Sequence, residues 1–152
     1  MYCLQAAIVT ETALGGLIAS AGSARVVPLG QGLSLLPLTE ALFDAGVPDL
    51  EEFWTAPTGF ERLLAACSEH GAVAYVEAEY FGGTGTQSAQ VWENGATVLG
   101  PLHVAEDEPD PADGSPISQA LRRLGVIKGD HFDEFAAVGL GRHRDTADWL
   151  SA

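Results

Sequence analysis

Glu77 and Glu79 are the residues whose types and spacing are best suited to chemistry. They lie two residues apart in the alternating run Ala72–Phe81, and alternate residues of a strand share a face about 7 Å apart. Two carboxylates at this spacing can serve as acid and base, or can bind a hard cation. The alternative, which we favour, is that both belong to the solvent-facing side of an amphipathic strand.

A glycine-rich connection follows this strand, directly after Tyr80 and Phe81. The backbone amides of Gly82 and Gly83 could wrap an anion, but a phosphate cradle also needs a following lysine and the start of a helix. Neither is present, so the pattern favours a wide turn or bulge between two strands. Glycines also let a partner or ligand approach closely. In that case the two aromatic side chains would be anchors, and Gln87 and Ser88 would form hydrogen bonds.

Arg142, His143 and Arg144 form the one basic cluster of the chain. Such a cluster can hold a phosphate or a carboxylate ligand. It can equally tie the C-terminal part of the chain to the acidic remainder, and we favour this because acidic partners are plentiful. If instead the cluster faced Glu77 and Glu79 across a cleft, the protein would be a small-ligand binder or a hydrolase-like enzyme.

Several kinds of active site lack the residue patterns that they require. No H-E-x-x-H, paired-cysteine or G-x-S-x-G motif is present, so the sequence predicts no metal site, no cofactor and no catalytic residue. The two cysteines, Cys3 and Cys67, are predicted to be free thiols in a reducing cytoplasm rather than a disulfide. Enzyme activity stays an open alternative that we do not favour.

The net charge of −14 is large for 152 residues, with 21 acidic and 7 Lys or Arg side chains. Residues 1–121 hold 16 of the acidic side chains and only two of the basic ones. A field this negative repels nucleic acid and anionic membranes, and it attracts a basic protein partner. Solubility alone is the other explanation of an acidic surface. The apolar runs are also well short of the ~20 residues that span a bilayer.

The elements that carry these residues predict an α+β fold in a single domain, residues 1–152. A mostly antiparallel sheet is expected, with a three-stranded meander at about 72–100 and several short helices packed on one side. Tyr2–Val9 has the residues of a buried first strand. The helices are expected at Thr39 to about Ala45, Thr58–His70 and Ser115–Leu124, each with a capping residue at its start.

Asn94-Gly95 predicts the second turn of the meander, because both residue types tolerate the positive φ angles of a type I′ turn. A two-residue turn here sets Trp92 opposite Thr97 and Val91 opposite Val98. The order of the strands in the first 50 residues does not follow from any local signal.

Three segments together resemble a family of small bacterial proteins, of actinobacterial type in their Ala- and Gly-rich usage. They are Glu79–Trp92, with the motif EYFGGTGTQ, Ser118–Val126, and Phe132–Arg144, with the motif GLGRHR. The resemblance implies no activity. In size and acidity the chain is also similar to the immunity proteins that neutralise secreted bacterial toxins.

These observations together predict a small acidic cytoplasmic binding protein, of the immunity or inhibitor type, whose partner is a basic protein such as a toxin. Nucleic acid and membranes are not expected as partners, and the oligomeric state is left open. The first alternative is the small-ligand binder or enzyme described above. The second is a self-associating structural protein that extends its sheet through Trp92 and an edge strand.

Overall fold

A six-stranded antiparallel sheet organises the part of the chain that this computed structural model describes, which is residues 2–15, 26–37, 60–81, 84–105, 108–109 and 112–150. The strands are β1 (Tyr2–Val9), β2 (Val27–Pro28), β3 (Ser34–Pro37), β4 (Val73–Phe81), β5 (Thr84–Glu93) and β6 (Ala96–Val104). Their order across the sheet is β2-β3-β1-β4-β5-β6, so the N-terminal strand lies near the centre. The α+β class and the antiparallel meander are therefore confirmed.

The helices are short, and several are single turns. They are α1 (residues 11–15), α2 (Phe60–Cys67), α3 (Pro116–Arg123) and α4 (Glu134–Ala137), with 3₁₀ turns at Gly30–Gly32, Leu140–Arg142 and Thr146–Leu150. Within the described ranges, none of the helices is both long enough and apolar enough to cross a membrane. The helix predicted from Thr39 and the glycines Gly82 and Gly83 lie outside the described residues.

The meander turns at Asn94 and Gly95, whose φ angles of 52° and 80° are the left-handed values that the sequence predicts. Trp92 pairs with Thr97 as expected. Val91, however, lies opposite Leu99 rather than Val98, because the register between β5 and β6 shifts at this point. A β-bulge of this kind places two residues of one strand opposite one residue of the other.

The first face of the sheet carries the larger apolar core. Alternate residues of β1, β4 and β5 point to this face, and helix α3 covers them with Ile117, Ala120 and Leu121, all fully buried. Ser115 caps this helix as predicted, because its Oγ accepts a hydrogen bond from the Ser118 amide at 3.4 Å. Trp149, from the last 3₁₀ turn, belongs to the same cluster.

The second face has its own apolar cluster, beneath helix α2. Leu64 and Cys67 of this helix lie with Val73, Tyr75 and Trp92 of the sheet. Helices therefore cover both faces, and the expectation that they pack on one side is wrong in that detail. Trp92 is buried on the interior strand β5, so it cannot extend the sheet as the self-association alternative requires.

Replacing Gly95 by alanine should destabilise the protein by about 1–2 kcal/mol, because an L-residue is disfavoured at its φ of 80°. Urea unfolding followed by circular dichroism measures the change. Gly141→Ala is the matched control, since a Cβ added there meets no atom within 4 Å. Equal free energies of unfolding for the two variants would contradict the type I′ turn.

Candidate functional site

Four polar side chains form a continuous row across the second face of the sheet. Gln5 on β1 pairs with Glu77 on β4, Glu77 pairs with Ser88 on β5, and Ser88 pairs with His103 on β6. Directly paired residues of an antiparallel sheet have Cβ atoms about 4.5–5.5 Å apart, so the four side chains are neighbours. We call these residues the polar row.

Hydrogen bonds connect the polar row internally and to its surroundings. Ser88 Oγ lies 2.6 Å from His103 Nδ1, and the Tyr75 hydroxyl donates to Glu77 Oε1 at 3.0 Å. At the other end the Thr146 hydroxyl donates to Gln5 Oε1 at 3.0 Å. The row thus links the C-terminal segment, through the centre of the sheet, to the edge strand β6.

The members of the polar row differ in how deeply they are buried. Glu77 and Ser88 are both 0% exposed, whereas His103 is exposed. In a hydrolytic triad the histidine lies between the serine and the acid, and the serine reaches the substrate. Here the serine lies between Glu77 and His103 in the row and is enclosed. The row therefore does not present a serine nucleophile.

The negative charge of Glu77 acts on the groups around it. Burial raises the pKa of the Tyr75 phenol well above its usual range, and the charge of Glu77 raises it further. Burial also raises the pKa of the Cys3 thiol; the Gln5 hydrogen bond lowers it in part, and nearby carboxylates including Glu77 and Glu79 raise it again. Neither group is an activated nucleophile, because each one stays protonated. Cys3 and Cys67 are free thiols, as predicted.

Glu77 and Glu79 share a face, as the alternation predicts, but their environments differ. Glu79 is exposed, which agrees with the solvent-facing interpretation, whereas Glu77 is completely buried, which contradicts it. The reason is that β4 is a central strand, and Val73, Tyr75 and Glu77 are all buried on the second face. A strand in which both alternating sets are largely apolar is the sequence signal for this position.

The aromatic end of β4 and Gln87 have different roles. Phe81 is 72% exposed, whereas Tyr80 is half-buried and its hydroxyl accepts a 2.6 Å hydrogen bond from Gln87 Nε2. Gln87 Oε1 accepts from the Ile117 amide at the start of α3. Gln87 therefore joins β5 to Tyr80 and to a helix, and its amide is used inside the fold rather than for a ligand.

Arg142 and His143 both contact Trp149. The Arg142 guanidinium lies 5.2 Å from the centre of this ring and also donates to the backbone carbonyl of Pro28 at 3.0 Å. The His143 ring meets Trp149 edge to face, with the ring centres 4.6 Å apart. Arg144 is exposed, and its backbone carbonyl accepts from the Cys3 amide at 2.8 Å. Two hydrogen bonds tie the cluster to the sheet, from Arg142 to the Pro28 carbonyl and from the Cys3 amide to the Arg144 carbonyl, whereas the Trp149 contacts lie within the C-terminal segment itself. None of these contacts involves an acidic side chain, which the sequence favoured.

In the described part of the chain, Arg142 and His143 do not share a cleft with Glu77. Trp149 packs in the core of the first face, and Arg142 and His143 lie against it. Glu77 points to the second face, on the same side as Tyr75. The geometry therefore does not support the ligand-binding or enzymatic pocket considered above. Across the described residues, no group of three or more histidine, cysteine or carboxylate side chains could hold a metal ion.

Gln5 and His103 are the members of the polar row that sequence reasoning missed. Their partners come from strands that are distant in the chain, and only the pairing of β1 with β4 and of β5 with β6 places them in line.

No protein-family model, no curated protein and no solved structure matches this chain. The positions and charges of its residues are therefore the evidence for its function.

Replacing Tyr75 by phenylalanine should lower the free energy of unfolding by about 2 kcal/mol, because a buried carboxylate loses a hydrogen-bond donor. Tyr2→Phe is the matched control: its hydroxyl donates to the uncharged carbonyl of Leu140 at 2.9 Å, and its loss should cost about 1 kcal/mol. Chemical denaturation at pH 7 measures both changes. A smaller loss for Tyr75→Phe than for Tyr2→Phe would contradict a charged Glu77.

Stability should also fall steeply at alkaline pH. Burial raises the folded-state pKa of Tyr2 and of Tyr75 above the ordinary tyrosine value of about 10, so the unfolded chain loses these protons first. The contribution of these two tyrosines to the free energy of unfolding should be constant below about pH 10 and decrease above it. Tyr75→Phe should reduce this slope by about 1.4 kcal/mol per pH unit, as denaturation between pH 9 and 12 can test. An unchanged slope would show that Tyr75 titrates normally.

Proposed function

We propose that this protein is a small acidic cytoplasmic binding protein of the immunity or inhibitor type, and that it recognises a basic partner protein such as a toxin. The observation that carries the proposal is Phe81, which is 72% exposed at the end of β4 next to the exposed carboxylate of Glu79. On a chain of net charge −14, this places an aromatic anchor within a negative field. The proposal includes membership of the bacterial family that the motifs resemble.

The charge distribution supports a basic partner. Three of the seven Lys and Arg side chains already have intramolecular contacts: Arg122 with Glu134, Arg123 with Glu93, and Arg142 with Trp149. Most of the 21 carboxylates are thus not neutralised by these residues. Complementary charge accelerates association and rejects acidic competitors, while desolvated contacts determine how long the complex lasts.

The surroundings of Phe81 support its role as an anchor. The neighbouring Tyr80 is held by the hydrogen bond from Gln87, and its ring centre lies 6.5 Å from that of Tyr2. Tyr2 in turn contacts Phe135, with ring centres 5.5 Å apart. An aromatic residue presented on a rigid strand end loses little conformational entropy on binding, which favours affinity.

Capture experiments with matched variants test this proposal. The wild-type protein, Phe81→Ala and Phe132→Ala are used as bait in a lysate of the native host, and the captured proteins are identified by mass spectrometry. We expect one basic protein to be retained by the wild type and by Phe132→Ala, whose ring is exposed elsewhere on the surface, but to be depleted with Phe81→Ala. Capture of no basic protein, or equal capture by all three, contradicts the proposal.

Binding kinetics with the captured partner distinguish the contribution of the negative charge from that of the Phe81 contact. Phe81→Ala should raise the dissociation rate by about 30-fold, the effect of losing a ~2 kcal/mol anchor, and leave the association rate unchanged. Raising the salt concentration from 0.05 to 0.5 M should slow association at least about tenfold through screening. An association rate that is independent of salt would remove the electrostatic part of the proposal.

A further inference from the structure

A cleft of about 370 Å³ lies at the start of helix α3, and Phe81 is not among the residues that line it. Three segments form its walls: residues 112–115, the side of α3 that carries Ser118 and Arg122, and the loop from Lys128 to Glu134. We call it the Ser118 cleft. It does not depend on the function proposed above.

The Ser118 hydroxyl is the first indication that the cleft receives a ligand. Ser118 is 1% exposed and lines the cleft, and its Oγ has no hydrogen-bond partner among the described residues. Its backbone amide donates to Ser115 Oγ, so the hydroxyl alone is uncommitted. Buried hydroxyl groups in proteins are nearly always hydrogen-bonded, and because Ser118 lines the cleft, an acceptor bound there would supply the missing partner.

The charges around the cleft indicate the chemistry of that acceptor. Arg122 forms an ion pair with Glu134 at 3.2 Å, and Asp133 Oδ1 accepts from the Ala136 amide as a helix cap. Burial alone would raise the pKa of Glu134, but the hydrogen bond from Arg122, a backbone hydrogen bond and the charges of Arg122 and Lys128 together outweigh it, and the pKa is lowered. Lys128 lines the same cleft and forms no ion pair with any residue that the structure describes.

The apolar wall of the cleft indicates which kind of group accompanies the oxyanion of the ligand. Phe132 is 90% exposed and lines the cleft, so its ring offers a flat apolar surface at the edge of a polar site. Asp113 also lines the cleft and its carboxylate opposes an anion, so binding of an oxyanion must rely on the donors of Ser118 and Lys128 and on the Phe132 ring. A hydroxyl donor, an ammonium group and an aromatic wall together match an organic oxyanion better than an inorganic ion.

We propose that the Ser118 cleft binds the carboxylate or phosphate group of a small organic ligand, with Ser118 and Lys128 as hydrogen-bond donors and the Phe132 ring as the apolar wall. The shared chemistry is an oxyanion attached to an apolar or aromatic body. A buried hydroxyl donor beside a cation gives directional recognition of such a group, which a surface lysine alone does not provide.

Titration of the full chain with benzoate, phenyl phosphate and benzyl alcohol, followed by ¹H–¹⁵N correlation spectra, tests this assignment. We expect the amide signals of Gly114 and Ser118 to shift saturably with benzoate or with phenyl phosphate, and the tighter of the two identifies the preferred oxyanion. Benzyl alcohol has the same ring without the charge and should cause no saturable shift. Non-saturating shifts with both anions, or equal shifts with the alcohol, overturn the proposal.

Four variants test whether Ser118 and Lys128 bind the ligand. Lys128→Gln should weaken binding of the better anion about tenfold, the typical effect of losing one charge-assisted hydrogen bond, whereas Lys128→Arg should retain it. Ser118→Ala should also weaken binding, and a thermal melt verifies that this variant is folded. Arg144→Gln removes an exposed cation elsewhere and should leave the affinity unchanged. If Lys128→Gln binds as tightly as the wild type, the proposal is wrong, even if Ser118→Ala does not fold.

Discussion

The pairing of β1 between β3 and β4 is the constraint on which the rest of the structure depends. Eight residues of β1 pair with β4, from Tyr2 opposite Tyr80 to Val9 opposite Val73, and its second half also pairs with β3. Its side chains enter the cores of both faces. At its first residues the partner is instead the C-terminal segment, through the Arg144 carbonyl and Thr146. β1 therefore joins the C-terminal segment to the sheet that contains the meander.

The second face of that sheet is divided into an apolar half and a polar half. Under helix α2 it is filled by residues such as Val73 and Trp92, whose burial stabilises the fold through the hydrophobic effect. Four residues after Val73 on β4 it holds Glu77, a completely buried carboxylate that is hydrogen-bonded by Tyr75. A buried charge is tolerated only where hydrogen bonds compensate for lost hydration. The polar row is thus part of the protein interior, so a partner or ligand must bind at the surfaces around it.

Charged side chains have different roles in the first 121 residues and in the rest of the chain. The first 121 residues carry most of the carboxylates and project a negative field, whereas the arginines near the C-terminus are mainly used within the fold. Arg122 and Arg123 pair with carboxylates, and Arg142 lies on a tryptophan ring. Lys128 differs from them, because it faces a cleft beside the uncommitted hydroxyl of Ser118. An acidic surface for a protein partner and a small cleft that offers Lys128 and Ser118 to an anion can therefore coexist on one molecule.

Local signals were sufficient for the elements whose conformation depends on a few neighbouring residues. The Asn94-Gly95 turn follows from the φ angles that these residue types tolerate, the start of α3 follows from Ser115 as a cap, and the alternation of β4 follows from its period of two. The bulge beside Val91 was not predictable in this way. The burial of Glu77, the hydrogen bond between Gln87 and the Ile117 amide, and the hydrogen bond from Arg142 to the Pro28 carbonyl required the tertiary structure. Each depends on which distant segment lies alongside, and a sequence read locally does not specify long-range pairing.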